Sequence, residues 1–181
     1  MLPFRTSERI LYMKKKIAWI PAIILMILIF YFSNQSANVS ANLSGGISYR
    51  IVTFINSAIN LEWTEENILF IAEKIDYPVR KLAHLTEYAL LGMAISLGGI
   101  YGNDWFNYRL RKQHILVQTL GSLYAISDEF HQLFVIGRAG RVSDVLIDSV
   151  GVLIGFFIFI KILVFTKEGG ILCQQKNLTQ E

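Results

Sequence analysis

Residues 127–155 read "SDEFHQLFVIGRAGRVSDVLIDSVGVLIG". Apolar residues dominate both sides of a short turn that carries Gly and Arg, yet Asp128, Glu129, His131, Asp144 and Asp148 interrupt them. Taking a charged group out of water costs on the order of several kcal/mol unless it is paired or hydrogen-bonded. The solvent around these two segments therefore decides how the chain can fold.

Composition identifies that solvent. The chain has 181 residues, 53% of them hydrophobic and 17% charged, which is too apolar for an ordinary single-core soluble domain and predicts a membrane protein. A net charge of +3, with no basic stripe interleaved with aromatics, excludes a nucleic-acid partner and leaves the lipid bilayer as the first one. Cys173 is the single cysteine, so no disulfide framework exists.

A hydrocarbon core of about 30 Å takes roughly 17–25 apolar residues per helix. Four segments meet this, at about 17–33, 82–101, 115–134 and 144–165. The expected fold is an all-α polytopic membrane protein with four transmembrane helices plus amphipathic helices on its outer face. Lys and Arg fix the orientation. The segments before the first span, between the second and third, and at and after the end of the fourth hold 11 of the 17 basic residues and four of the 14 acidic ones. That places both termini in the cytoplasm, with tails 1–16 and 166–181 flanking a transmembrane domain 17–165, as a multi-pass protein of the cell membrane. Two alternatives stand beside this. Lys14–Lys16 with Val39-Ser40-Ala41 could pass as a cleaved signal peptide, and Met13 offers a second translation start.

The outer segment 34–81 begins inside "SNQSANVSANLSGG" (33–46), which reads as a loop. Ile47, Ile51, Val52, Phe54, Ile55 and Ile59 then recur at helical spacing. A second amphipathic run, Ile68, Leu69, Ile71, Ala72 and Ile75, is capped by Thr64 and is expected to stop at Pro78.

This topology delivers the ionisable residues to one depth. His84 and Glu87 are three residues apart, Asp128 and His131 three, and Asp144 and Asp148 four, so each pair shares a helix face near the outer end of its span. Glu129 is rotated by about 100° from Asp128 and faces the loop or a neighbouring helix. Arg138 and Arg141 sit over the group, and Arg80 and Lys81 flank it. Gly151 with Gly155, Gly92 with Ser96, and Gly121 with Ser122 supply the small surfaces that close packing needs.

The candidates for acid–base work are His84, Glu87, Asp128, His131 and Asp148. Arg80, Lys81, Glu129, Gln132, Arg138, Arg141 and Asp144 are the candidates for holding a ligand. Imidazole with carboxylate leaves a divalent metal open as cofactor, although no HExxH-like set is present. No nucleophile stands beside a base at readable spacing, so enzyme status is open. Three readings follow: an ion-pair network that ties the helices together, a site for a polar head group, and a conducting pathway. The last is weakened by the lack of an internal inverted repeat.

"RKLAHLTEYALLG" (80–92), followed by residues 127–155, closely resembles the VanZ-like family, small polytopic membrane proteins whose name-giving member is associated with resistance to the glycopeptide antibiotic teicoplanin. The shared pattern is an RKxxH block with a following Glu, then SDExHQ, a Gly-Arg turn and a DxxxD helix followed by Gly. "FSNQ" (32–35) is similar to the end of the family's first span. The resemblance carries Arg80, Lys81, His84, Glu87, Ser127, Asp128, Glu129, His131, Gln132, Arg138, Asp144, Asp148 and Gly151 over as characteristic residues. Ile136 departs from the pattern, where the family often has Pro before the turn, and this puts the placement of Arg138 in question. The family implies action at the outer face of the cell membrane on an envelope lipid, a lipid-linked peptidoglycan precursor or a glycopeptide. It implies no particular reaction and leaves the oligomeric state open.

Overall fold

A computed structural model of the chain describes residues 13, 15–103 and 109–178, with side chains through Thr166. Among the described residues there is no strand. Among these residues the elements α1 (Ile20–Ser33), α2 (Ala37–Ile59), α3 (Glu65–Leu97), α4 (Leu110–Gln132) and α5 (Val142–Leu178) follow one another. A π-helical turn, Gly98–Gly102, extends α3.

Among the described residues two segments, Lys15–Ser33 and Val142–Thr166, are long and apolar enough to cross a membrane. The expected spans at 82–101 and 115–134 fall in α3 with its π turn and in α4, which are more polar and supply much of the protein's interior. That interior joins Ala22 and Ile29 of α1, Tyr88, Leu91 and Ile95 of α3, Val117 and Ala125 of α4, and Val152 and Phe156 of α5. Long apolar side chains on α1 and α5 such as Ile27, Phe30, Phe157 and Ile162 face outward. This inversion is what a bundle in lipid shows, because lipid-facing residues need not be polar.

The closest approach is between α3 and α5. A Cβ at Gly155 would collide with the Ala89 carbonyl oxygen, one at Gly151 with that of Leu85, and one at Gly92 with that of Val152. The two backbones therefore touch at three glycines. Polar groups help join α4 to α5, since Gln118 Nε2 donates to the Ser149 carbonyl oxygen at 2.9 Å and the hydroxyls of Ser122 and Ser149 lie 3.0 Å apart.

Two expectations in segment 34–81 are corrected. Residues 37–46 are the first turns of α2 and not a loop. Ser44 is the one buried residue of this stretch, so its helix forms against a poor local preference and with little burial of its own. Pro78 does not end its helix either, because α3 runs through it to Leu97. Pro78 lies on an exposed side, where the carbonyl it leaves unbonded one turn earlier can be met by solvent. Thr64 does cap α3, its hydroxyl accepting the Asn67 N–H at 3.4 Å, and Glu65 and Glu66 in the first turn suit the helix dipole.

A second, smaller core of Val52, Ile68 and Ala72, flanked by Tyr49, Trp63, Ile71 and Ile75, fastens α2 to the first half of α3. Asn60 in the left-handed conformation, φ 53°, ends α2 and starts the return. This helical hairpin lies at the end of the bundle where α1 and α4 finish and α5 begins.

Replacing Gly155 by Leu forces α3 and α5 apart. We expect a loss of about 1–3 kcal/mol, measured as a lower midpoint of thermal unfolding in detergent.

Candidate functional site

The ionisable residues singled out in the sequence gather at that same end, but they divide into groups with different roles. Asp128 and Gln132, one turn apart on α4, meet the last residue of α1. The Ser33 hydroxyl donates to Asp128 Oδ2 at 2.7 Å, and Gln132 Nε2 donates to the same oxygen and to Ser33 Oγ, each at 3.2 Å. All three residues are buried. Asp128 Oδ1 is buried without a hydrogen-bond partner.

Arg138 reaches the same place from the α4–α5 turn. Its Nε donates to the Gln35 carbonyl oxygen at 2.9 Å and a terminal nitrogen to that of Phe32 at 3.1 Å. A guanidinium at the C-terminal end of α1 is favoured by the helix dipole as well as by the two hydrogen bonds. Partial burial pulls the Arg138 pKa below its ordinary value, with the Asp128 charge acting the other way. Ile136 stands in this turn where the family often has Pro. Gly137 takes φ +75°, which Gly adopts freely, and the Ile136 carbonyl accepts the Ala37 N–H at 3.2 Å.

Glu129 turns away from Asp128 toward the turn, where its Oε2 accepts the Arg141 N–H at 2.8 Å. Lys81 and Asp144 form an ion pair at 2.5 Å that joins α3 to the first turn of α5. Arg80 pairs with Asp76 at 2.7 Å and also donates to Ser44 Oγ at 3.1 Å. Asp76 was not among the candidates, although its spacing of four from Arg80 is a readable signal. Ser33 was likewise missed, although "FSNQ" holds it.

Asp148 is 1% exposed, and neither of its carboxyl oxygens has a partner. The buried Tyr88 hydroxyl is also unpartnered. His131 stacks on Phe30 of α1 with ring centroids 4.4 Å apart. Among the described residues, no three His, Cys, Asp or Glu side chains converge closely enough to hold a metal ion. The arrangement therefore does not fit the divalent centre considered from the sequence.

Two adjoining cavities occupy the space under the hairpin. One, of about 170 Å³, is largely apolar, bordered by Phe32, Leu43, Ile47, Val79 and Ala83, with His84 and Glu87 facing it. The other, of about 230 Å³, is polar, bordered by Lys81, Arg141, Asp144 and Gln132. They share Ser40, Arg80, His84 and Arg138 as a common wall. Among the described residues His84 and Glu87 make no hydrogen bond to a protein group, and the Arg141 side chain has no carboxylate partner. Arg138 and Arg80 are committed, whereas Arg141 stays open to an incoming anion.

Among the described residues the bundle is all-helical, with outward apolar faces and two helices long and apolar enough to cross a membrane, as a membrane protein has. The family model described as VanZ/LLP1 matches residues 18–165, and the chain belongs to that family. No curated protein and no solved structure matches it.

Replacing Ser33 by Ala removes the short hydrogen bond to buried Asp128. We expect this to cost about 1–3 kcal/mol, seen as a lower unfolding midpoint in detergent.

Proposed function

We propose that the protein spans the membrane four times, at about 17–33, 82–101, 115–134 and 144–165, with both termini in the cytoplasm. The α2–α3 hairpin then covers the outer face. There the two cavities bind the anionic head group of an envelope lipid or lipid-linked peptidoglycan precursor. The observation that carries this reading is the pairing of the cavities: a compartment rimmed by cations lies beside an apolar one, and both meet at Arg80, His84 and Arg138. That suits a molecule with a charged head and a hydrocarbon body. A phosphate would find in Arg141 and Lys81 the charge-assisted donors it needs.

Such a site agrees with the teicoplanin association of the family, since the antibiotic's target is a lipid-linked precursor at the outer leaflet. His84 and Glu87 face the cavity free of protein hydrogen bonds. They are available for proton transfer, should the bound head group be modified and not merely held. The Ser33–Asp128–Gln132 knot and the Arg138 clasp favour a second reading for that part of the cluster, as a scaffold that fixes α1 to α4. A pure ion-pair scaffold accounts less well for Arg141, Glu87 and Asp148, whose side chains it would leave without partners.

The test is equilibrium binding of a phosphomonoester lipid by the full chain in nanodiscs of otherwise zwitterionic lipid. Saturable binding is expected, weakened about tenfold by Arg141→Gln through loss of one charge-assisted contact. Binding that is absent, or indifferent to Arg141, rejects the head-group site. In a teicoplanin-susceptible Gram-positive host, expression is expected to raise the inhibitory concentration. Asp128→Asn, which keeps acceptors for Ser33 and Gln132 but removes the charge, is expected to abolish that rise at matched membrane abundance. No change with either protein removes the resistance role and leaves the binding site standing.

A further inference from the structure

The first turns of α2 are the part of the fold where local sequence and observed structure disagree most. Residues 37–46, "ANVSANLSGG", hold Asn, Ser, Val and two adjacent glycines, all poor or middling helix formers. Glycine in a helix interior usually has a packing reason. Here that reason holds at Gly92, Gly121, Gly151 and Gly155, where a side chain would strike a neighbouring helix. Gly45 and Gly46 are different, since a Cβ at either would meet nothing within 4 Å. No contact requires glycine at these two positions, and both weaken the helix.

The glycines divide α2 into halves that are held very differently. Beyond them, Val52 is locked in the smaller core, Tyr49 Oη donates to Glu65 at 2.9 Å, and Asn56 Oδ1 accepts the Trp63 N–H at 3.0 Å. Before them, two hydrogen bonds join the helix to other elements: the Ala37 N–H to the Ile136 carbonyl oxygen at 3.2 Å, and Arg80 to Ser44 Oγ at 3.1 Å. This weakly held half roofs the cavities. Ser40, Leu43 and Ser44 border the apolar one, and Ala37 and Ser40 the polar one.

We infer that residues 37–46 are a lid, which opens by unwinding or swinging about Gly45–Gly46 while residues 47–59 stay fixed on α3. Ser44 lies directly before the hinge, so its bond from Arg80 is the latch. Arg80 borders both cavities. One motion uncovers the shared wall of Arg80, His84 and Arg138, and so opens both compartments together. A segment with few buried apolar contacts and a locally weak helix is where low-energy opening is concentrated. What the lid admits rests on the head-group reading. That the lid moves does not.

The test is amide hydrogen exchange of the full chain in zwitterionic nanodiscs, first without added ligand. Residues 38–46 are expected to exchange at least about tenfold faster than residues 49–58. The Gly45→Ala/Gly46→Ala double variant is expected to slow residues 38–46 by about tenfold and leave 49–58 unchanged. Uniform protection along α2, or exchange at 38–46 that is indifferent to the double substitution, overturns the lid. Adding a phosphomonoester lipid separates the two ideas. Slower exchange at 38–46 supports a lid that closes over that head group. If the glycine-dependent opening persists but the lipid leaves it unchanged, the lid is upheld and the head-group reading fails.

Discussion

The contact between α3 and α5 at Gly92, Gly151 and Gly155 is the constraint on which the rest depends. Lipid tails are as apolar as the helices they surround, so association in a bilayer cannot draw on the hydrophobic effect that drives soluble folding and relies on close packing instead. Backbone contact at three glycines meets that need. It also fixes the register of α5 on α3, and register determines chemistry. With Gly151 seated on Leu85 and Tyr88, the residues one and two turns earlier on α5, Asp148 and Asp144, come level with the stretch of α3 that holds Lys81, His84 and Tyr88. The Lys81–Asp144 pair is a consequence of this seating. An isolated ion pair at a partly exposed place contributes too little to set the register by itself.

Much of this was legible in the sequence, because the signals used were physical requirements of a bilayer. Helical spacing in 80–92 and 127–155 put the ionisable pairs on single faces, and the small residues at 151 and 155 marked where helices would meet. Propensity failed where the chain leaves that regime. Residues 37–46 have the composition of a loop, yet they are helical with Ser44 alone among them buried; nothing local records that. Pro78 is a strong breaker by rule, yet its effect depends on whether the freed carbonyl is buried, which a sequence does not state.

The site was legible as a neighbourhood and not as a set of roles. Arg138 and Arg141 look equivalent in "GRAGR", but Arg138 ends on the carbonyls of α1 while Arg141 contributes its backbone N–H to Glu129 and leaves its side chain free. His84 and His131 look equivalent too. One faces the cavities and the other lies on the Phe30 ring. These differences come from the path of the turn between α4 and α5 and from contacts with α1, distant in sequence and carrying no local periodicity.

The Arg138 clasp also explains why the cluster needs α1 at all. Ser33 and the carbonyls of Phe32 and Gln35 are the features at and just beyond the end of α1 that meet the cluster. The Arg138 guanidinium on these two carbonyls ties that end of α1 to the α4–α5 turn. The Ile136 carbonyl, held in the same turn, receives the first N–H of α2. One four-residue stretch, 135–138, thereby links the end of α1, the end of α4 and the start of α2. A change there is felt at the roof and the floor of the cavities together, which gives the Gly-Arg turn a mechanical role beyond the charge it carries.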